Sequence, residues 1–319
     1  MSREEYLRRA CPVCGSSQAR EEMGSRIRAE HQPLHQLRPF WSGLFKEKLF
    51  FTYHRCARCE LLYNPIYFDG DQLAELYGDM APNMDAVSDE AILATQQGYF
   101  ERAAQGTRLE GDYLEIGPDV GHIVAQAARS GDFGHFWLFE PNLAIHDALR
   151  VAVDGGPATL LADMDDLSPV PDGSVGLAVM IHVLDHLLDP LETLSQLRAK
   201  LRPGGGLMIV THNERSLLRR VLGERWPPFC LQHPELYNPD TMRQLLERAG
   251  FTGISVERSR NHFPLSFLAR QAAWAVGLKL GRVPLPGWSV GLRLGNILTL
   301  AKAPDQAATA RPARQLEAV

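Results

Sequence analysis

Cysteine is scarce in this chain: five residues in 319 cannot form a disulfide scaffold at such a length. Four of the five fall in two identically spaced pairs, which in a reducing compartment points to metal rather than to bridges. Long apolar runs are missing too. The N-terminal stretch Met1–Ala10 is charged and lacks a signal-peptide core, and the longest apolar stretch, roughly Phe263–Leu280, is interrupted by Arg270 and Lys279. The expectation is a cytoplasmic protein without stable membrane insertion. Nor is there an excess of positive charge. A net charge of -5 and a pI near 6.1 supply no general attraction to phosphate backbones, which argues against a nucleic-acid partner. No internal repeat is visible, and the glycine spacing GxGxxG that cradles a pyrophosphate in nicotinamide enzymes is absent.

What is present reads as one main domain with an accessory module, and the hydrophobic fraction of 45% is ordinary for a globular chain. Residues 1–70 carry the cysteine pairs around a basic, aromatic stretch with Trp41, Phe45, Phe50, Phe51 and Tyr53. Residues 71–108 form a connecting helical region, with Leu73, Leu76 and Tyr77, then Ile92, Leu93, Tyr99 and Phe100, in roughly helical spacing. Over 109–303, β-rich runs at Tyr113–Ile116, Phe136–Phe139, Thr159–Leu161, Val175–Ile181, Leu207–Val210, Gly253–Val256 and Ile297–Ala301 predict seven strands. Helical runs at Ile123–Arg129, Leu143–Val151, Leu191–Leu201 and Thr241–Ala249 alternate with them, so the pattern is α/β with a largely parallel, Rossmann-like sheet. Arg202-Pro203-Gly204-Gly205 and Gly250-Phe251 mark helix stops. An apolar insertion over about 262–290 suits burial against the domain, a lid or a homodimer surface, and 304–319 has the composition of a disordered tail.

Cys11-Pro-Val-Cys14 and Cys56-Ala-Arg-Cys59 are CxxC knuckles, each able to offer two sulfurs to one ion from a tight turn. Together they complete a tetrahedral four-thiolate set, for which a structural Zn2+ is the expected occupant; redox-active thiols and an iron-sulfur cluster are the alternatives. Cys230 has no such partner and reads as a buried apolar residue before it reads as a nucleophile.

The segment Asp112-Tyr-Leu-Glu115-Ile-Gly117-Pro118-Asp119-Val-Gly121-His122 is an apolar strand with an acid near its end, leading into a glycine-bearing turn and a helix. Glycines let backbone approach a ligand, and a helix N-terminus presents free N–H groups. These residues resemble the first motif of the class I S-adenosylmethionine-dependent methyltransferase superfamily, acid-x-Gly-x-Gly-x-Gly, with Asp119 in place of the middle glycine. Asp tolerates left-handed backbone, but its carboxylate there must meet an N–H or ammonium partner. Val183-Leu-Asp185-His186-Leu-Leu-Asp189-Pro190 and Leu201-Arg-Pro-Gly-Gly are similar to two later segments of that superfamily, and the ordered set runs from Asp112 to Ala303.

The resemblance implies S-adenosyl-L-methionine held by Glu115, Gly117, Pro118, Asp119 and Gly121, with Glu140, next to Pro141, on the ribose hydroxyls. It places Asp163 and Met164 against adenine, with His182 and Tyr77 also near the cofactor. His233, in a segment similar to that of relatives carrying an N-terminal zinc module, faces the acceptor pocket by the same resemblance. His182 and His186 are the further candidates for a catalytic base, since histidine titrates near neutral pH. For His182, His186 and Tyr77 a structural role weighs more. The implied partner is a small or medium polar acceptor, such as a sugar or natural-product hydroxyl or activated carbon; a non-catalytic binding protein that keeps the fold is the alternative.

Overall fold

The computed structural model describes residues 6–41, 48–78, 88–275 and 288–305. Its centre is a seven-stranded sheet. In chain order we label strands β1 (Ala19–Met23), β2 (Tyr53–Cys56), β3 (Leu62–Tyr63), β4 (Glu110–Ile116), β5 (Asp132–Phe139), β6 (Ala158–Leu161), β7 (Val175–Ile181), β8 (Leu201–His212), β9 (Glu235–Leu236), β10 (Thr252–Arg258) and β11 (Asn296–Lys302). The large sheet runs β6-β5-β4-β7-β8-β11-β10, parallel except for β11, which is antiparallel to both neighbours. All seven expected strands are there, each within a few residues of its expected bounds except β8. The residues of β7, Val-Gly-Leu-Ala-Val-Met-Ile, are buried through Met180, as a central strand covered on both faces requires.

Helix α1 (Gly70–Gly78) packs with the aromatic residues of the cysteine module, and the helices on the large sheet are α2 (Asp89–Ala104), α3 (His122–Ser130) and α4 (His146–Ala152) in one apolar cluster and α5 (Pro190–Lys200) and α6 (Pro239–Arg248) in the other. Proline at the first helical position starts α5 and α6, so both begin ahead of the apolar periodicity. Asp189 caps α5 through the Glu192 N–H, and Asn238 with Thr241 forms a capping box on α6. Leu143–Val151 begins as a 3-10 turn and becomes α-helical at His146. Leu201, expected to end a helix, is instead the first residue of β8. The register of β8 on β7 slips across Arg202–Gly205, from Val175 facing Leu201 to Leu177 facing Gly206, so that turn is a bulge inside the strand. Within the apolar insertion, Asn261–Pro264 pairs with Ser289–Leu292 and a helix spans Leu265–Ala275; its remainder and the expected disordered tail from Gln306 lie outside the described residues.

The cysteine module folds against the large domain. Strand β3 pairs on one edge with β2 and on the other with β9, with Tyr63 facing Glu235 and Leu62 facing Leu236. Two buried arginines fasten the same junction: Arg9 meets Glu235 at 2.8 Å, and Arg55 meets Glu214 at 2.8 Å and Glu22 at 2.6 Å. Val13, Leu61 and Tyr63 belong to one apolar cluster with Leu184, Leu194 and Met242 of the large domain.

Candidate active site

Parallel strands deliver their C-terminal ends to one edge, and the chain order reverses direction between β4 and β7, which opens a crevice there. Gly117 follows β4 with φ 67°, and a Cβ on it would stand 2.6 Å from Val183 Cγ2. Gly121, φ 80°, precedes α3 and leaves no room for a Cβ against Leu149 and Ala152 of α4. Between them Asp119 adopts φ 50°, the left-handed conformation its position demands, and Pro118 is buried.

Three acids converge on this turn. Glu115 is buried and accepts a 2.6 Å hydrogen bond from the Tyr113 hydroxyl; burial, ahead of the charges of Glu140 and Asp119, pushes it up to about 8. Glu140, at the end of β5, accepts the Asn142 N–H at 2.9 Å and the Asp119 N–H at 3.2 Å, and burial raises it as well. Asp119 is raised by burial too, with His122 opposing. Each oxygen of Glu140 keeps a lone pair for a ligand hydroxyl. Pro141 next to it is exposed. Past β6, Asp163 is exposed and accepts the Asp165 N–H, while Met164 packs partly buried against the core.

Beside this crevice four imidazoles come together. His182 follows β7 with φ 53°, a backbone state in which His is enriched. His212 closes β8, and their rings lie 4.5 Å apart. His233, in the segment between β8 and β9, stands 5.0 Å from His212 and 4.8 Å from His186. Tyr77 of α1 hydrogen-bonds His186 Nδ1 at 3.0 Å and packs edge-on against Trp41. Burial lowers His182, His186 (to about 3) and His212. Burial also pulls on His233, but the Cys230 sulfur, 3.2 Å from its Nδ1, together with Asp185 and the Pro228 carbonyl, outweighs it and holds this ring up to about 9. Cys230 is lowered: burial opposes its ionisation, and the charge and hydrogen bond of His233 overcome it. One proton on the cluster, carried by His233, is what mutual repulsion allows.

The loop bearing His233 is held by the cysteine module. Tyr53 and Asn64 donate to the His233 carbonyl at 2.6 and 3.3 Å, and Tyr67 donates to the Leu231 carbonyl at 2.6 Å. Pro228 O accepts from His233 Nδ1 at 2.7 Å, which fixes that ring with Nε2 free of the loop.

The sulfurs of Cys11 and Cys59 lie 3.4 Å apart, those of Cys14 and Cys56 lie 3.5 Å apart, and all four fall within 4.8 Å of one another. None is in a disulfide. A zinc–sulfur bond of about 2.3 Å sets tetrahedral sulfurs roughly 3.8 Å apart, so the four thiols fit one ion. Cys59 is lowered to about 5, chiefly by its hydrogen bond with Cys11.

Four residues of the site escaped the sequence reading: His212, Asn296, whose side chain lies 3.1 Å from His212 Nδ1 and 3.2 Å from His182 Nε2, and the tyrosines Tyr53 and Tyr67. Cys230, read as apolar filling, is a hydrogen-bond partner of His233. His212 had a usable signal, since it ends the fifth strand of the sheet on the ligand edge.

A family model described as a methyltransferase domain matches residues 94–256. A probable S-adenosylmethionine-dependent methyltransferase from Mycolicibacterium smegmatis is 34% identical over 83 residues, which cover 26% of this chain and 31% of that relative. Among solved structures, an S-adenosylmethionine-dependent methyltransferase from Mesorhizobium loti aligns at TM-score 0.43 and 18% identity, over 62% of this chain and 94% of its own. The YcgJ protein from Bacillus subtilis aligns at TM-score 0.46 and 13% identity, over 67% of this chain and 99% of its own.

Proposed function

Since this chain belongs to the methyltransferase domain family, we propose that it moves the methyl group of S-adenosyl-L-methionine to a small or medium polar metabolite, a sugar or natural-product hydroxyl or activated carbon. The carrying observation is the adjacency of two unlike groups of side chains on one sheet edge: three acids with no lysine or arginine bonded to them among the described residues, and four imidazoles of which burial lowers three, His182, His186 and His212. The first suits a ligand with cationic groups and a vicinal diol. Its burial-raised carboxyls gain charge stabilisation from a sulfonium and an ammonium, and Glu140 can take both ribose hydroxyls.

When bound, the cofactor supplies an electrophilic methyl whose carbon–sulfur bond breaks with the electron pair going to sulfur. Glu115, Gly117, Pro118, Asp119 and Gly121 would line its amino-acid end, and Asp163 and Met164 its adenine. The protein has then to orient the acceptor, exclude water and remove one proton. His233, with Nδ1 tied to Pro228 O, is the group we assign to that proton, taken on Nε2 by the fraction of rings that have released the proton His233 holds up to about pH 9. His182 and His186 shape the pocket, and Tyr77 fixes the ring of His186. The four module cysteines hold a structural Zn2+ in this reading, which closes the loop that carries Tyr53 and Asn64.

Titration calorimetry with S-adenosylhomocysteine tests the assignment. Glu140→Ala removes two charged hydrogen bonds and should weaken binding by roughly 10- to 100-fold. Failure of the unaltered protein to bind the nucleoside would overturn the reading. Binding without turnover across a panel of alcohols and activated carbons would favour the non-catalytic alternative, for which the carboxylate of Asp119 inside the turn is the supporting observation.

A further inference from the structure

Two buried polar atoms in the imidazole cluster face no partner among the described residues: His182 Nδ1 and Asp185 Oδ1. Asp185 is fully buried in the turn after β7, and its other oxygen lies 3.4 Å from the His212 backbone N–H. His182, Asp185 and His212 offer nitrogen and oxygen atoms within 4.8 Å of one another. A third side chain couples the two rings. Because β11 runs antiparallel to β8, its first residue, Asn296, arrives opposite His212. Its amide touches His182 Nε2 at 3.2 Å through Nδ2 and His212 Nδ1 at 3.1 Å through Oδ1.

An amide has one donating and one accepting end, so it cannot treat the two rings alike. With Nδ2 donating to His182 Nε2, the proton of neutral His182 must sit on Nδ1, which lies too far from the orphaned Asp185 oxygen for a direct bond and would reach it across one water. With Oδ1 accepting from His212 Nδ1–H, the Nε2 of His212 keeps its lone pair. The reverse amide orientation would set a ring lone pair against a buried carboxylate, which leaves both unsatisfied and is costly. Burial keeps both rings neutral near pH 7, as this arrangement needs.

We propose that Asp185, His182, Asn296 and His212 form a directed hydrogen-bond chain whose outcome is a permanent acceptor, His212 Nε2, for the hydroxyl or other X–H group of an uncharged methyl acceptor. Asn296 is its positioning residue. The proposal rests on the reading that the cleft beside the three acids receives the methyl acceptor. A carboxylate, having no proton to give, finds no partner on this nitrogen. The same geometry argues against a divalent cation on His182, Asp185 and His212, despite the suitable donor set. Coordination through His182 Nδ1 would move that ring's proton to Nε2, facing the N–H of Asn296.

Nitrogen-15 NMR of full-length, histidine-labelled protein, with assignments from single His→Gln variants, reads the tautomers. Both His182 and His212 should carry their proton on Nδ1. In Asn296→Asp a carboxylate accepts from both rings, so His182 should move its proton to Nε2 while His212 keeps its own on Nδ1. All three side chains then face inward with lone pairs, and a cobalt(II) titration should reveal one site absent before the substitution. Retained S-adenosylhomocysteine binding shows that the variant is folded; if it is not, the tautomers of the unaltered protein decide alone. A His212 proton on Nε2, or cobalt binding at these residues in the unaltered protein, would overturn the proposal. A protein that binds no nucleoside yet shows both Nδ1 protons would sink the methyltransferase reading and leave the chain standing.

Discussion

At the scale of single residues, the site depends on neighbours that change what a side chain can do. His233 is the clearest case. Alone, its burial would keep it unprotonated; beside the Cys230 sulfur it holds a proton up to about pH 9. Removal of the sulfur in Cys230→Ala leaves only Asp185 and the Pro228 carbonyl to oppose burial, so the titration of His233 should move to lower pH. If His233 is the base proposed above, which needs its unprotonated ring, any rising limb of the rate profile should move the same way. Proton NMR titration of the C2 resonance checks this without an acceptor, and an unmoved midpoint would show that the sulfur does not set it. The pairing of Cys230 with His233 was not legible in the sequence, and His212, legible only as the end of a strand, was missed. A cysteine three residues before a histidine carries no signature by itself, and the link between His212 and Asn296 exists only because two strands distant in sequence lie side by side.

At the scale of elements, legibility followed burial and length. Strands β4 to β8, β10 and β11 carry runs of apolar or β-branched residues long enough to stand out, and the expected bounds of β7 coincide with those observed. Two-residue strands such as β3 and β9 have no period to read, which is why the junction between module and sheet was invisible. Prolines misled the start of α5 and α6, because helical geometry began before the apolar face did. The short strand β2 shows what such pieces do. Tyr53 and Arg55 project from the same side, as alternate residues must, one to the His233 carbonyl and the other to Glu214. Tyr53→Phe leaves that carbonyl with Asn64 alone, and should cost about 1–2 kcal/mol and a few degrees of melting temperature, as read by calorimetry. An unchanged transition would mean that the hydroxyl is replaceable by water.

At the scale of the whole molecule, the fold class and the placing of Glu115, Glu140 and His182 at strand ends were legible because a parallel sheet repeats one simple rule: its strands end on one edge. The large sheet accordingly gathers Glu115, Glu140, His182 and His212 on one edge. No helix among the described residues is long and apolar enough to cross a membrane. The cysteine cluster belongs to this scale as well, since it ties the N-terminal strands together. Native mass spectrometry should find one zinc per chain. Chelation should lower the melting temperature and open Cys11, Cys14, Cys56 and Cys59 to thiol reagents before Cys230 reacts, while nucleoside binding at the remote acids persists. Thiols that react fully without chelation would remove the metal from the account.

The shared edge between β3 and β9 carries a practical lesson for anyone recombining such enzymes. A graft that exchanges only the first sixty-odd residues would import new hydroxyls and amides while leaving behind the carbonyls they were shaped to meet. Donor segment and recipient loop therefore have to be inherited together, as a single cassette, if the loop that carries His233 is to keep its shape.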